Sequence, residues 1–211
     1  MADITKHEAD TYALLLGNEA IARGALEGGM QFSAAYPGTP SSEIIGTLAA
    51  VAKEAGIYVE WSVNEKVAAE VAAAAAFSGL RGLVAMKGAG LDVALDFLVH
   101  VNLSTIGDKG GALLVVVCDD PQAHSSCEEI DTRWIAQFVG APLVEPADAQ
   151  EAKDLTKWAL DLSAEFKCWF FLHSYTRLSH LHGNVKLGKI SNHGKKTVFD
   201  TTKNYNAYLA T

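Results

Sequence analysis

The side chain with the most chemical promise in this sequence is a carboxylate beside a wall of small residues. In the stretch EWSVNEKVAAEVAAAAAFSG, from Glu60 to Gly79, Glu65 is followed by Val67, Val71 and a run of alanines. Alanine methyl groups let another backbone or a flat ring come close. Burial in such a wall favours a neutral carboxyl, whereas a helix N-terminus favours the ionised one, and the sequence leaves that balance open. Two uses of Glu65 follow from its surroundings. Ser62 and Glu65 stand three apart, the spacing of a capping box in which each side chain satisfies a free backbone N–H. Alternatively, Glu65 faces the close-packed interface as an acid.

A second candidate is the corner AYPGTPSSEI, from Ala35 to Ile44. Gly38 supplies a bend, and Thr39-Pro40 predicts a helix that begins at Pro40 with Thr39 as its N-cap. Free N–H groups would then lie at the C-terminal edge of a strand, where open α/β sheets bind ligands and where anions are favoured. The corner therefore suits a carboxylate, or is an ordinary connection. The loop CDDPQAHSSCEEID places His124 just past another strand end, as a polar group for a pocket. In the same loop Ser126 and Glu129 predict a second capping box. His124 and Cys127 have a spacing two metal ligands use, but no third or fourth ligand follows, and no metal is predicted. Lys87 stands between a strand and a glycine-rich turn in SGLRGLVAMKGAGLDVA, without the order of a phosphate-binding P-loop. Residues 107 to 111 read as a flexible turn before a strand.

These residues need a scaffold. Helical patterns are expected at 19–26, 40–55, 63–77, 91–103, 128–139 and 148–165, and strands at 31–36, 57–61, 82–86, 112–118, 142–145 and 167–173. The valine-rich run from Ala112 to Cys118 reads as a central strand covered on both faces. Six strands alternating with helices imply right-handed crossovers, and the fold class is α/β, a mostly parallel six-stranded sheet with helices on both faces. One domain is expected over residues 1–180. Residues 181–211 form an extended tail or the start of a linker, with five lysines, at 186, 189, 195, 196 and 203, against Asp200. Tyr205 and Tyr208 suggest that the tail docks on another surface.

With 211 residues, 49% of them hydrophobic, the chain suits one globular domain with a substantial core. A net charge of -8, from 25 acids against 17 bases, argues against a nucleic-acid surface. The cysteines, Cys118, Cys127 and Cys168, are odd in number and lack CxxC spacing, so no disulfide framework or cluster-ligand set is expected, and a reducing cytoplasm fits. The polar start and the charges inside the alanine-rich segment argue against a signal peptide and a spanning helix, so a soluble protein is expected.

Taken together, GNEAIARGALEGG, AAYPGTPSSEI, VEWSVNEKVAAEVAAAAAFSG, LVAMKGAGLDVALD and DDPQAHSS resemble, in order and spacing, the N-terminal part of the alpha subunit of the indolepyruvate ferredoxin oxidoreductases, over about residues 14 to 180. These belong to the 2-oxoacid:ferredoxin oxidoreductases, which use thiamine diphosphate. The resemblance implies a pyrimidine-binding domain, one of two related α/β domains that hold the cofactor between them. It implies that Glu65 binds N1' of the aminopyrimidine and promotes loss of the C2 proton, with Tyr36, Pro37 and Met86 also at the cofactor. It further implies that Thr39 contacts substrate, with Lys87 and His124 as weaker candidates for that pocket. The expected partners are a 2-oxoacid, coenzyme A and ferredoxin through the full assembly, a diphosphate-binding domain or subunit, and a second copy of the chain.

The sequence departs from the family pattern by stopping after the pyrimidine domain. It has no GDG followed by an asparagine and no cluster cysteines, so magnesium and iron–sulfur clusters are expected only in other domains or subunits. The chain is not expected to be active alone. It is either a separately encoded small subunit or a piece of a longer one. A subunit of a non-oxidative two-chain 2-oxoacid decarboxylase and a non-catalytic interaction module stand as alternatives.

Overall fold

A computed structural model of the chain describes residues 4–5, 10–106, 110–192 and 197. The main sheet contains β2 (Phe32–Ala35), β3 (Tyr58–Trp61), β4 (Arg81–Lys87), β5 (Ala112–Asp119), β6 (Leu143–Val144) and β7 (Phe170–Tyr175). They lie in the order β3-β2-β4-β5-β7-β6, and every pairing is parallel. As the valine-rich run predicts, β5 is interior to the sheet, and all of its residues are buried. Parallel strands direct their C-terminal ends to one edge, so the corner after β2, the turn after β4 and the loop after β5 share that edge.

Alternation along the strands builds two cores. On one face Leu83, Ala85, Leu114, Val116, Phe170 and Leu172 pack with residues of α1 (Gly17–Glu27), α2 (Ser42–Ala55) and α6 (Ala149–Phe166). On the other, Val84, Met86, Val115, Val117 and Phe171 pack with α3 (Glu65–Phe77), α4 (Gly88–Val101) and α5 (Arg133–Val139). Each fully buried leucine or valine here stabilises the fold by about 1.5–3 kcal/mol relative to exposure. Helices therefore cover both faces, as expected.

Several helix starts differ from expectation, each for a local reason. The Thr39-Pro40 peptide is cis. Thr39 is not an N-cap: α2 starts at Ser42 after Ser41, and Gly56, in the left-handed region at φ 66°, ends it. Ser62 does not cap α3, because its hydroxyl donates to Glu60 at 3.1 Å. Asn64 is the cap, extended at φ -163°, with its Oδ1 accepting from the Val67 N–H at 2.9 Å. The Ser126–Glu129 box does not form, and α5 starts only at Arg133. The acid that ends β5 and the one just past it take the donors that a longer helix would use, with Asp120 accepting from the Ser125 N–H and Asp119 from the Thr132 N–H.

Two strands and a short helix were not anticipated. β1 (Tyr12–Leu16) pairs antiparallel with β8 (His182–Lys186), and α7 (Thr176–His180) precedes β8. The stretch after residue 180 thus opens with a paired strand whose Val185, followed by Leu187, joins the α1–α6 core. Its sequence, HGNVK, alternates in burial but gives little apolar signal, because Gly183 and Val185 are its only inward positions. The expected docking of Tyr205 and Tyr208 and the turn residues 107–109 fall outside the described residues.

A buried ion cluster ties these terminal segments to the helical layer. Glu27 accepts from Arg23 Nε at 2.8 Å, from Lys153 Nζ at 3.0 Å and from the Gly188 N–H at 2.6 Å. Arg23 also donates to the carbonyls of Ile4 and Gly188.

Candidate active site

Asn64 releases Glu65 from any capping duty and makes it the first residue of α3. Glu65 is 7% exposed, and its carboxylate has no hydrogen-bond or ion-pair partner among the described residues. It packs over the first turn of α4. A Cβ placed on Gly90 would lie 2.5 Å from Glu65 Oε1 and 2.8 Å from its Cδ, so only glycine fits beneath the carboxylate in its present position. The wall beside it is the one the sequence suggests: Ala68, Ala69, Ala72 and Ala73 are buried against β4 and α4 residues.

The neighbouring corner lies along the same edge. Lys87, which ends β4, lays its stem on Gly38, where an added Cβ would come within 3.0 Å of Lys87 Cγ. Tyr36, Pro37 and Thr39 are exposed, while Pro40 is buried. The expected cradle of free N–H groups is mostly taken. Ser41 and Ser42 donate to the Gly38 carbonyl, and the Gly38 N–H donates to Ser42 Oγ. Any anion here would rest on side chains such as Thr39 and Lys87. Met86 is fully buried in the α3–α5 core and presents no surface in this chain.

His124 lies further along the edge. It is exposed and lines a cleft of about 330 Å³ with Pro121, Gln122, Tyr175, Thr176 and Arg177, beside β5 and β7 rather than beside Glu65. Its loop contains two successive non-glycine residues at positive φ, Gln122 at 69° and Ala123 at 49°. Asp120 holds this loop by accepting from Ser125 and from Thr176 Oγ1. Those bonds hold the Asp120 carboxyl below the usual range against the opposing effect of burial.

A larger cleft of about 640 Å³ is lined by residues with no motif in the sequence to announce them, among them Asp119, Asp131, Arg133, Glu145 and His173. His173 Nε2 meets Asp119 Oδ2 at 2.9 Å, and Nδ1 meets Glu145 Oε2 at 2.8 Å. Both ring nitrogens face carboxylates, so both are best satisfied as donors in the charged ring. Burial works against that charge, but Asp119 and Glu145 outweigh it and raise the His173 pKa above 6.5. Asp119, Asp131 and His173 each bring one ligand-type atom within 4.8 Å of the others. Asp119 is already engaged with Thr132 and His173, and the group acts as an ion-pair network.

A raised folded pKa makes the sign of the pH effect definite. The stabilisation from His173 is complete below the unfolded value of about 6.5 and is lost as pH rises through the folded value. The melting-temperature difference between wild type and His173→Gln should therefore shrink from about pH 6 to about pH 9. A difference constant over that range would contradict the assignment of charge to this ring.

The family model for pyruvate flavodoxin/ferredoxin oxidoreductase, thiamine diphosphate-binding, matches residues 23–210. The chain belongs to that family. It is 50% identical over 199 residues to the indolepyruvate oxidoreductase subunit IorA of Pyrococcus abyssi (strain GE5 / Orsay), covering 93% of this chain and 30% of that protein. It is 54% identical over 178 residues to the IorA of Thermococcus kodakarensis, covering 84% of this chain and 27% of that one. The chain thus spans less than a third of the length of either relative. A solved 2-oxoglutarate:ferredoxin oxidoreductase from Magnetococcus marinus superposes with a TM-score of 0.74 at 20% identity, over 86% of this chain and 32% of that one, and shows the fold alone. As the resemblance implies, the domain is a parallel α/β unit, and Glu65 follows β3 at the C-terminal edge of its sheet. No helix among the described residues is long and apolar enough to cross a membrane.

Proposed function

We propose that this family member is the pyrimidine-binding component of a thiamine diphosphate-dependent 2-oxoacid:ferredoxin oxidoreductase that acts on indolepyruvate or a related arylpyruvate. The observation that carries the reading is Glu65: a buried carboxylate without a hydrogen-bond or ion-pair partner among the described residues, held over a glycine at the C-terminal edge of a parallel sheet. A buried carboxyl in that state asks for a hydrogen-bond partner, and the N1' edge of an aminopyrimidine supplies one: protonated Glu65 donates to N1', and ionised Glu65 accepts from the protonated ring. The alanines beside it pack α3 closely on β4 and α4, which sets Glu65 over Gly90. Names of the 50%-identical relatives favour the oxidoreductase over a non-oxidative decarboxylase.

When bound, thiamine diphosphate supplies the nucleophilic carbon that attacks the ketone of a 2-oxoacid and accepts the electrons left by departing carbon dioxide. The chain's own residues prepare that chemistry. Glu65 orients the pyrimidine and holds the proton at its ring nitrogen, Gly90 leaves room for the carboxylate, and α3 and α4 keep the site dry. Tyr36 and Pro37 offer the exposed rim of the cofactor site, and Thr39 and Lys87 receive the substrate carboxylate. His124, in its own cleft, is a substrate contact only if a second domain brings the cofactor across that edge. Exposed Trp61 and Val63, at 46% and 78%, precede Glu65 and offer an apolar face to the diphosphate-binding domain, and a second copy of the chain is the other expected partner. Magnesium, iron–sulfur clusters, coenzyme A and ferredoxin belong to the remainder of a cytoplasmic assembly.

The test uses the assembled enzyme. Glu65→Gln keeps size and packing but cannot supply the carboxyl proton, and should reduce decarboxylation of indolepyruvate by at least about 100-fold. Turnover equal to wild type would remove Glu65 from the reaction and this reading with it.

A further inference from the structure

Asn18, the second residue of α1, is completely buried far along the chain from any candidate site residue. Both protons of its Nδ2 go to the corner after β2. One reaches the Pro40 carbonyl at 2.7 Å and the other Glu43 Oε2 at 3.0 Å. Its Oδ1 has no hydrogen-bond partner among the described residues. A buried acceptor left unpaired is costly, so packing alone would favour an apolar side chain of the same shape. What only the amide offers is two donors pointing the same way. The reverse orientation would set Oδ1 against a carbonyl and a carboxylate, so the partners fix the amide.

The geometry has a direct consequence for the corner. Pro40 is buried and gripped by its carbonyl, whereas Thr39, one residue earlier, is exposed. Glu43, the other partner, lies in the first turn of α2, and its Oε1 stands 3.7 Å from His180 Nε2. Three helices thus meet at one end of the corner while its other end, Gly38, rests on Lys87.

We propose that Asn18 is a positioning residue for the 2-oxoacid: it holds Pro40 and the start of α2 so that Thr39 stays in reach of the substrate carboxylate. The inference rests on the function proposed above. It assigns to the GNEA segment a role in substrate affinity rather than in cofactor binding.

The experiment compares Asn18→Leu, which lacks the donors, and Asn18→Asp, which replaces them with a second carboxylate beside Glu43, in the assembled enzyme. In both, KM for the 2-oxoacid should rise about tenfold, with kcat within about threefold and thiamine diphosphate affinity unchanged. Adding Glu43→Gln to Asn18→Asp reverses donor and acceptor across the pair and should recover part of the KM. Unchanged KM in the single variants would overturn the proposal. So would a parallel fall of kcat, cofactor affinity and melting temperature, which marks a purely structural role. Glu65→Gln measured alongside separates the two claims: if it is inactive while the Asn18 variants match wild type, the positioning role fails and the functional reading stands.

Discussion

Gly90→Ala is expected to leave the fold nearly intact and to lower turnover of the assembled enzyme by at least about tenfold. The added Cβ would lie 2.5 Å from Glu65 Oε1 and 2.7 Å from its Cγ. Those atoms are the far end of a flexible side chain, so the collision is relieved by swinging the carboxylate away rather than by moving backbone. Gly90 lies within α4, where alanine is intrinsically better by about 1 kcal/mol, which offsets part of the lost packing. Stability and activity should therefore separate. Thermal denaturation and a decarboxylation assay on the same preparation read the two effects. Full activity in Gly90→Ala would mean that the carboxylate position seen over this glycine is not the working one.

The second large effect concerns stability alone. Glu27 is 2% exposed and is the shared acceptor of Arg23, 0% exposed, and Lys153, 4% exposed. Lys153 has a further contact with Asp154 at 2.6 Å, but that carboxylate is largely in solvent. Glu27→Ala leaves two buried cations without their common counter-charge and deprives the Gly188 N–H of its acceptor. Breaking a buried pair in this way costs about 3–5 kcal/mol. In a domain of this size that corresponds to a fall in melting temperature of roughly 10 °C. The β1–β8 pair should loosen first, because Gly188 and Ile4 are fastened through Arg23 and Glu27. A change of less than about 1 kcal/mol would contradict the dependence of Arg23 and Lys153 on Glu27.

The parallel sheet was legible because its signals are local and strong. β5 is a continuous apolar run, and glycines at 28, 56 and 79 punctuate the alternation of strand and helix. The caps were less legible, because several hydroxyls competed for each helix start. Ser62 had the right spacing from Glu65, yet its hydroxyl turned back to Glu60, and Asn64 took the position instead. Long-range partners decided the remaining differences. The bonds from Asp119 to Thr132 and His173 span 13 and 54 residues, and no pattern in one segment reveals them. β1 and β8 meet from opposite ends of the chain, and His182, Gly183 and Asn184 are unremarkable strand formers without that partner. Within the candidate site, Glu65, Lys87 and the Pro37–Pro40 corner stood out by residue type. Gly90 and Asn18 did not. A glycine three residues beyond a strand end was the available signal for the first, and nothing near Asn18 pointed 22 residues ahead to Pro40.

The most direct test of the account is the exchange of the C2 proton of thiamine diphosphate bound to the assembled enzyme, followed in deuterated buffer by quenched-flow NMR. The Glu65→Gln variant should still bind the cofactor but exchange that proton at least about 100-fold more slowly than wild type, because only a carboxyl can hold the proton at the pyrimidine nitrogen. Equal exchange rates with the cofactor fully bound would contradict the role assigned to Glu65.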